Sequence, residues 1–358
     1  MSEGLNFIDR LRDAGLPLPR PEALERLVYV VGPARGGTSI ISHAIGVHDA
    51  ILEIPHDYHF VDQVWPYRNK LHNRLWRIVA LLPEFCNEKS IAEKFSESEQ
   101  SLIRLFIDSC IKSKQYYRLL TMYPSLFCLW GLERKVCDDV KIWKMKDNTW
   151  RGMKDIKAHL PLTRFVFVTR DPRACVHSAA KRMGRLSGEV EDSLSKADIV
   201  QGSIYWMMMA EICQRFARHN PDDCHFVRYE DFLEDPEAVV LRIYEFLGED
   251  TLGREEVSQR MTALVGGATN NPHERYTGIS SAPKRRWEAN LSSSELDIIE
   301  SITGKSARKL GYEIVRSINP WKLLQFLRYV PSLGSRVAGA VKVLGVHYLG
   351  FIVSGRRA

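Results

Sequence analysis

The stretch of sequence that decides the fold is LVYVVGPARGGTSIISHAI, residues 27–45. It opens with the apolar run Leu27–Val31, which predicts a strand buried on both faces, as in a parallel sheet. The glycine-rich segment Gly32–Ser39 follows, and a helix is expected from Ile40 to Ile45. The order strand, glycine-rich loop and helix predicts an anion site, because loop N–H groups and a helix N-terminus attract negative charge. A tight turn that binds nothing is the alternative.

The loop differs from the Walker A pattern, GxxxxGK[ST], at its most important position. Gly32 and Gly37 have the required spacing and Ser39 occupies the hydroxyl position, but Thr38 stands where the lysine belongs. The positive charge lies inside the loop, at Arg35. Because a nucleoside triphosphatase needs that lysine on its β- and γ-phosphates, the loop predicts a phosphate-like ligand other than ATP or GTP.

Strand and helix signals alternate along the rest of the chain. Strands are predicted at 140–145, 163–169 and 225–228, and helices at 173–183, 196–219 and 236–247. Residues 60–135 have helical spacing and predict a mostly helical insertion. This alternation predicts an α/β fold, with a P-loop-like central parallel sheet flanked by helices.

A second segment, RDPRACVHS at residues 170–178, follows the predicted strand 163–169. Arg170 lies at the carboxyl end of that strand, where open α/β sheets bind ligands. Ser178 comes eight residues later, about two turns into the following helix. The pair predicts two donors for a second phosphate. The structural alternative is that Arg170 forms a salt bridge with Asp171 or caps a neighbouring helix.

The net charge of +6 is concentrated at the end of the chain. From Ile314 onward there are seven basic and no acidic residues, which leaves 43 basic and 44 acidic residues elsewhere. The balanced main body argues against a nucleic-acid partner. Residues 314–358 form a basic amphipathic extension with aromatic residues, which predicts peripheral contact with a membrane surface. The alternative is a helix that packs on the catalytic domain or on another subunit.

The seven cysteines are scattered and include no CxxC pair, so no zinc site is predicted. Their odd number suggests a reducing compartment. The first residues show no signal-peptide pattern, and no apolar run reaches the length of a membrane span. These features predict a cytoplasmic location. The oligomeric state is left open.

The two phosphate segments together resemble the sulfotransferase superfamily. Residues 32–39, GPARGGTS, resemble its 5′-phosphosulfate loop, G-x-P-[RK]-S-G-T-[ST]. Arg35 falls at the basic position, and Gly36 replaces the usual serine. Residues 170–178 resemble the 3′-phosphate motif of the family, with the same spacing from arginine to serine.

Further blocks extend the resemblance from about Leu27 to Tyr312. They are RYEDF at 228–232, DP at 235–236, FLG at 246–248, RW at 286–287, LS at 291–292 and LGY at 310–312. Within the first of these blocks, Tyr229, Glu230 and Asp231 are predicted to have a structural role. The resemblance implies a sulfotransferase domain over residues 1–313, with residues 314–358 as the extension.

The resemblance implies that 3′-phosphoadenosine 5′-phosphosulfate (PAPS) is the sulfuryl donor, that 3′-phosphoadenosine 5′-phosphate (PAP) is released, and that no metal is required. The residues that it assigns to the donor are Arg35, Gly36, Gly37, Thr38, Ser39, Arg170, Ser178, Arg285 and Arg286. For Arg285 and Arg286 the alternative is a solvated charged face.

Glycan-acting members of the family carry an E-x-H-F element whose glutamate is the proposed general base. Here DYHF, residues 57–60, stands at the matching distance from the loop. The resemblance therefore implies Asp57 as the base, with His59 as its orienter or as the base itself. His56 and Glu53 stay candidates, because aspartate is one methylene shorter than glutamate. A surface-loop carboxylate and packed or solvated histidines are the structural alternatives.

The family also has a K-[TSD]-P element, which Lys146-Asp147-Asn148 resembles with asparagine in place of proline. The resemblance implies that Lys146, Arg35 and the loop N–H groups stabilise the charge that develops on the bridging oxygen. The alternative for Lys146 is a solvated charge in the run of Lys141, Lys144 and Lys146.

The E-x-H-F likeness implies a carbohydrate or glycolipid hydroxyl as the acceptor, with a small alcohol or phenol as another option. The insertion at 60–135 is expected to shape the acceptor pocket. Two other function classes stay open: a P-loop nucleotide kinase or nucleoside triphosphatase, and a non-catalytic, membrane-associated nucleotide-binding protein. The absence of the Walker lysine argues against the first of them.

Overall fold

The computed structural model describes residues 23, 25–57, 140–147, 152–187, 195–265 and 286–314. All of the predicted insertion at 60–135 and all but the first residue of the predicted extension at 314–358 lie outside them. The chain divides into two compact units. The first comprises residues 1–170 and 212–281, and the second comprises residues 171–211 and 282–358.

A five-stranded parallel sheet forms the first unit, in the order β2-β3-β1-β4-β5. The strands are β1 (Leu27–Val31), β2 (Ile51–Asp57), β3 (Ile142–Asp147), β4 (Arg164–Thr169) and β5 (Cys224–Arg228). The predicted α/β class is thereby confirmed, and four of the five strands were expected. The strand that the sequence analysis missed is β2.

Nine α-helices accompany the sheet in the described part of the chain. They are α1 (Thr38–Ile45), α2 (Met153–His159), α3 (Pro172–Ser187), α4 (Lys196–His219), α5 (Tyr229–Glu234), α6 (Pro236–Leu247), α7 (Arg254–Val265), α8 (Arg286–Asn290) and α9 (Ser293–Lys309). None of these helices combines the length and the apolar character that crossing a membrane requires.

Helix α6 shows why its bounds were predictable. The side chain of Asp235 caps its N-terminus by accepting a hydrogen bond from the Ala238 N–H, and Pro236 occupies its first position. Gly248, with φ of 69°, ends the helix in the left-handed conformation that favours glycine. All three signals are local in sequence.

The two faces of the sheet are packed differently. One face is aliphatic and packs against α1, α6 and α7; its buried residues include Val28, Val30, Val166, Val168, Ile45, Ile243 and Val257. The other face is aromatic. There, Phe165 lies with its ring centroid 6.0 Å from that of Tyr29 and 4.7 Å from that of Phe216 on α4. Burial on both faces explains why β1 is an uninterrupted apolar run.

The second unit is helical in its described part. Val176 and Ala180 of α3, and Ile298 and Ile299 of α9, belong to one buried cluster. Helix α9 begins with a capping box, in which the Ser292 side chain and Glu295 satisfy each other's backbone N–H groups.

Tyr244 of α6 offers a test of the packing at the C-terminal end of α1. Its buried hydroxyl donates to the carbonyls of Ala44 and Ile45, each at 3.3 Å, at the end of α1. We expect Tyr244→Phe to lower the free energy of unfolding by about 1–2 kcal/mol, because it leaves buried helix-end carbonyls without that donor. Urea unfolding measures the change.

A hydroxyl on the surface provides the matched control. Thr262 donates to the carbonyl of Ser258 in an exposed part of α7, so Thr262→Val should change the free energy of unfolding by less than about 0.5 kcal/mol. Equal effects for the two variants would show that the Tyr244 bonds do not support α1.

Candidate functional site

The glycine-rich loop lies at the edge of the sheet where the parallel strands end. A turn closes it, in which the Gly36 N–H donates to the Pro33 carbonyl at 2.8 Å. Arg35 has a positive φ of 65°, and Gly37 has a φ of 89° at the N-cap of α1. A glycine N-cap offers no side chain to the first turn of the helix, and that turn contains no acidic residue. The N–H groups in the first turn of α1 are therefore suited to receiving an anion.

Gly37 is required for a second reason, which is the close approach of Tyr229. A Cβ atom at position 37 would lie 2.2 Å from Cδ2 of the Tyr229 ring. Tyr229 begins α5 directly after β5 and is buried. The aromatic ring therefore forms a floor for the loop, and the structural role predicted for Tyr229 takes this specific form.

Arg170 is joined to both the loop and this floor. It follows β4, is buried, and donates from Nη1 to the carbonyl oxygen of Arg35 at 2.9 Å. Its guanidinium carbon lies 4.6 Å from the centroid of the Tyr229 ring, within the range of a cation–π contact. The two predicted phosphate segments thus meet through Arg170. Asp171, the partner considered in the sequence analysis, binds Arg173 at 2.7 Å.

Lys146 lies at the end of β3, beside β1, and is 9% exposed. Its Nζ donates to Oγ of Ser39 at 2.7 Å, in the first turn of α1. Lys144 is also buried, and only Lys141 of the three-lysine run is exposed. The structure therefore rules out a shared solvated face for the run and brings Lys146 to the loop.

Asp57 is the last residue of β2, and it pairs in register with Lys146. The structural alternative of a loop at this position does not hold, because β2 extends to Asp57. Between Glu53 and Asp57 the pairing is irregular. Glu53 is paired with Lys144 and Asp57 with Lys146, so an advance of four residues on β2 corresponds to an advance of two on β3. His56 lies in the same irregular section of β2. His59 falls outside the described residues.

An ionic cluster around the buried Lys144 underlies this part of the site. Nζ of Lys144 donates to Oε1 of Glu53 at 2.6 Å, and Nδ1 of His43 lies 2.8 Å from the same oxygen. Burial lowers the pKa of Lys144 to about 8, although the charge of Glu53 opposes that change. Burial raises the pKa of Glu53, but Lys144 and His43 outweigh it and hold that pKa below its usual value. The sequence analysis named Lys144 only as a member of a lysine run and gave it no role in the site.

The remaining predicted donor residues belong to the second unit. Ser178 lies within α3, and Arg286 is the first residue of α8. Arg285 falls outside the described residues. In the same unit, Arg173 forms a 3.2 Å ion pair with Glu300, and its guanidinium carbon lies 4.2 Å from the centroid of the Trp287 ring. Arg173 thereby packs against α8, the helix that begins at Arg286.

No cluster of His, Cys, Asp and Glu suited to a metal ion occurs within the described ranges. The groups described at the glycine-rich loop are its backbone N–H groups and hydroxyls, together with Lys146 and Arg170. These groups are suited to binding a dianionic ligand and to stabilising negative charge as it develops on a leaving oxygen.

Comparison with known proteins agrees with this chemistry. A family model described as the Sulfotransferase family matches residues 28–252, more than half of the chain. Among solved structures, the sulfotransferase domain of the Synechococcus olefin synthase is similar, with 16% identity and a TM-score of 0.49 over 83% of this chain and 97% of that one. A Mycobacterium avium sulfotransferase has 17% identity and a TM-score of 0.42, over 86% and 82% of the two chains. A mouse sulfotransferase complexed with PAP has 11% identity and a TM-score of 0.36, over 81% and 91%. No curated protein sequence matches this chain.

Proposed function

The chain belongs to the sulfotransferase family, and on that premise we propose that it transfers a sulfuryl group from PAPS to a hydroxyl of a carbohydrate or glycolipid. The observation that carries the proposal is the hydrogen bond from Lys146 to Ser39. It joins a buried cation to the helix N-terminus at which the loop would hold the 5′-phosphosulfate. The register of Asp57 with Lys146 supports a carboxylate base on the neighbouring strand.

For the donor, we assign the 5′-phosphosulfate to the N–H groups of Gly36, Gly37, Thr38 and Ser39. Arg35 supplies positive charge to the same group. The 3′-phosphate is assigned to Arg170, whose bond to the Arg35 carbonyl supports coupling between the two phosphate positions. Ser178, Arg285 and Arg286 complete the assignment on the strength of the sequence resemblance.

The proposed transfer is an in-line displacement at sulfur. The acceptor hydroxyl gives its proton to the Asp57 carboxylate while its oxygen forms a bond to sulfur. The bond between sulfur and the bridging oxygen breaks, and its electron pair stays on the 5′-phosphate of PAP. Lys146 and the loop N–H groups stabilise the charge that develops on this bridging oxygen. His59 and His56 are assigned to orienting the base, or to accepting the proton in its place.

The acceptor class rests on the resemblance of residues 57–60 to glycan-acting members. Turnover is measured as PAP formed from PAPS with lactose, galactosylceramide in detergent, or 4-nitrophenol as the acceptor. Acceleration by the first two supports the assignment, and acceleration by 4-nitrophenol alone contradicts it.

With galactosylceramide in vesicles that contain anionic lipid, removal of residues 315–358 tests the proposed peripheral membrane contact of the extension.

The donor assignment predicts selective stabilisation by a 3′-phosphorylated nucleotide. PAP at a hundred times its dissociation constant should add about 2.7 kcal/mol, which raises the unfolding temperature by about 5 °C or more. ADP with magnesium should leave the unfolding temperature unchanged. Thermal unfolding with each ligand measures both effects.

Arg170→Lys serves as the companion variant. It keeps the positive charge but loses the fork of donors, so PAP should bind about tenfold to a hundredfold more weakly. Stabilisation by ADP with magnesium instead of PAP would support a nucleoside triphosphate site and overturn the donor assignment. An unchanged affinity of Arg170→Lys for PAP would remove Arg170 from the 3′-phosphate site.

A further inference from the structure

Lys144 is a fully buried cation whose hydrogen-bonding capacity is filled. Its Nζ donates to the carbonyl and to Oγ of Ser42, both at 2.7 Å, and to Oε1 of Glu53 at 2.6 Å. An ammonium group carries three hydrogens, and each of them has an acceptor here. Burying such a pair costs desolvation free energy that an apolar pair would not. A role of this pair in the geometry of the proposed site would account for that cost.

Two lysines of β3 hold α1 at two points. Lys144 and Lys146 are two residues apart on a strand, so they lie on one face of the sheet. Their partners, Ser42 and Ser39, are three residues apart on α1 and share one face of that helix. Lys144 therefore contacts α1 one helical turn away from the contact of Lys146. This second contact fixes the distance between α1 and β3.

Glu53 brings the neighbouring strand into the same arrangement. It is paired with Lys144 at the last regular position of β2, directly before the irregular section that ends at Asp57. Nδ1 of His43, on α1, lies 2.8 Å from the Glu53 carboxylate. One carboxylate thus gathers side chains from α1 and β3 at the point where β2 departs from regular pairing.

We propose that the buried Lys144 and the partly buried Glu53 are a positioning pair that holds β2, β3 and α1 in register, and thereby sets Asp57 and Lys146 against the glycine-rich loop. The catalytic consequence rests on the proposed function, whereas the structural consequence does not. The charged groups that face Lys144 are Glu53 from β2 and Lys146 from its own strand; His43 from α1 faces Glu53.

The pair has a pH dependence that separates activity from stability. Above a pH of about 8, which is the pKa of Lys144, the amine has two hydrogens for three acceptors, so the rate of PAP formation should fall. Unfolding restores the ordinary pKa of 10.5, so the unfolded chain binds more protons between these two values. The contribution of this group to stability therefore rises with pH while the activity falls.

The test uses Lys144→Met, Glu53→Gln and the double variant of the full chain. Glu53→Gln leaves the buried Lys144 without its counter-charge, and Lys144→Met leaves the partly buried Glu53 with His43 alone, whereas the double change removes both charges. We expect the double variant to regain most of the unfolding temperature that the single variants lose. Its PAP formation should stay about tenfold to a hundredfold below wild type, since small displacements of reacting groups cost that much. Its dissociation constant for PAP should stay within about threefold of wild type.

Two further measurements complete the test. The decline of the wild-type rate above pH 8 should be absent from Lys144→Met and present in Lys141→Met, which changes an exposed lysine before β3. Amide hydrogen exchange of the double variant should be faster in residues 51–57 and 142–147, and unchanged in β4 and β5. Recovery of wild-type turnover together with stability would overturn the positioning role.

The two proposals can fail separately. If the wild-type chain forms no PAP with any acceptor, the proposed function fails, and hydrogen exchange still decides on the pair. Unchanged exchange in residues 51–57 and 142–147 of the double variant would overturn the positioning pair even if the wild-type chain transfers sulfuryl groups.

Discussion

Replacing Lys146 by alanine should lower PAP formation by about 10²–10³-fold and leave the affinity for PAP within about threefold of wild type. The range is that observed when one preorganised donor to a developing negative charge is removed. Lys146 is nearly buried, and its position is fixed by the 2.7 Å bond to Ser39. Its ammonium should therefore need little reorganisation as charge develops on the bridging oxygen. Single-turnover rates and PAP titration measure the two quantities separately.

Lys141→Ala is the matched control for this variant. Lys141 is exposed, lies just before the same strand, and is 3.8 Å from Asp250 across the surface. Exposed pairs of this kind contribute little, so turnover should match the wild-type value. If the affinity for PAP falls in proportion to turnover in Lys146→Ala, the lysine binds the ground state equally well, and its proposed role in the transition state is wrong.

The parts of the fold that the sequence predicted carry local signals. The run Leu27–Val31, the glycines after it and the helix at 38–45 lie within 19 residues of one another. The helices at 196–219 and 236–247 have the bounds predicted for them. Propensity, capping and glycine conformation determine such elements over a few residues, so no tertiary information is needed.

Strand β2 was missed because its own sequence argues against a strand. Ile51–Asp57 reads ILEIPHD, with Pro55 inside it and two polar residues at its end. Proline cannot donate to a ladder, and it is tolerated on edge strands or at irregular pairing. In the described sheet β2 is the outer strand beside β3, with irregular pairing after Glu53. Its neighbour in the sheet, more than eighty residues away in sequence, overrides the local preference.

The site contacts that the sequence analysis missed join residues that are far apart in the sequence. Lys144 and Glu53 are 91 residues apart, and Arg170 is 135 residues from the Arg35 carbonyl that it binds. A lysine in a run of lysines is normally solvated. The sequence did contain one signal. Lys144 and Lys146 are two residues apart, so they lie on one face of a strand whose neighbour is a buried strand.

Replacement of Gly37 should disrupt both the glycine-rich loop and the packing of that loop on Tyr229. We expect Gly37→Ala to lower the free energy of unfolding by about 2–5 kcal/mol and to abolish stabilisation by PAP. Part of the loss is the φ of 89°, which costs about 1–2 kcal/mol for a residue with a Cβ. The rest is overlap with the Tyr229 ring, which would lie 2.2 Å from the new atom. Overpacking of this kind typically costs about 1–3 kcal/mol.

Gly248→Ala isolates the backbone contribution. Gly248 has a φ of 69°, and a Cβ at this position would meet no atom within 4 Å. Urea unfolding of this variant should therefore show only the backbone cost of about 1–2 kcal/mol, with PAP binding unchanged. The difference between the two variants gives the cost of the overlap with Tyr229.

The double variant Gly37→Ala/Tyr229→Ala tests whether Tyr229 is the floor of the loop. Removing the ring removes the overlap, so the double variant should be more stable than the sum of the two single effects predicts. Its affinity for PAP should still be lower than that of wild type, because Arg170 loses the ring against which it packs. Strict additivity, or equal losses for Gly37→Ala and Gly248→Ala, would mean that the loop moves away from Tyr229 at little cost.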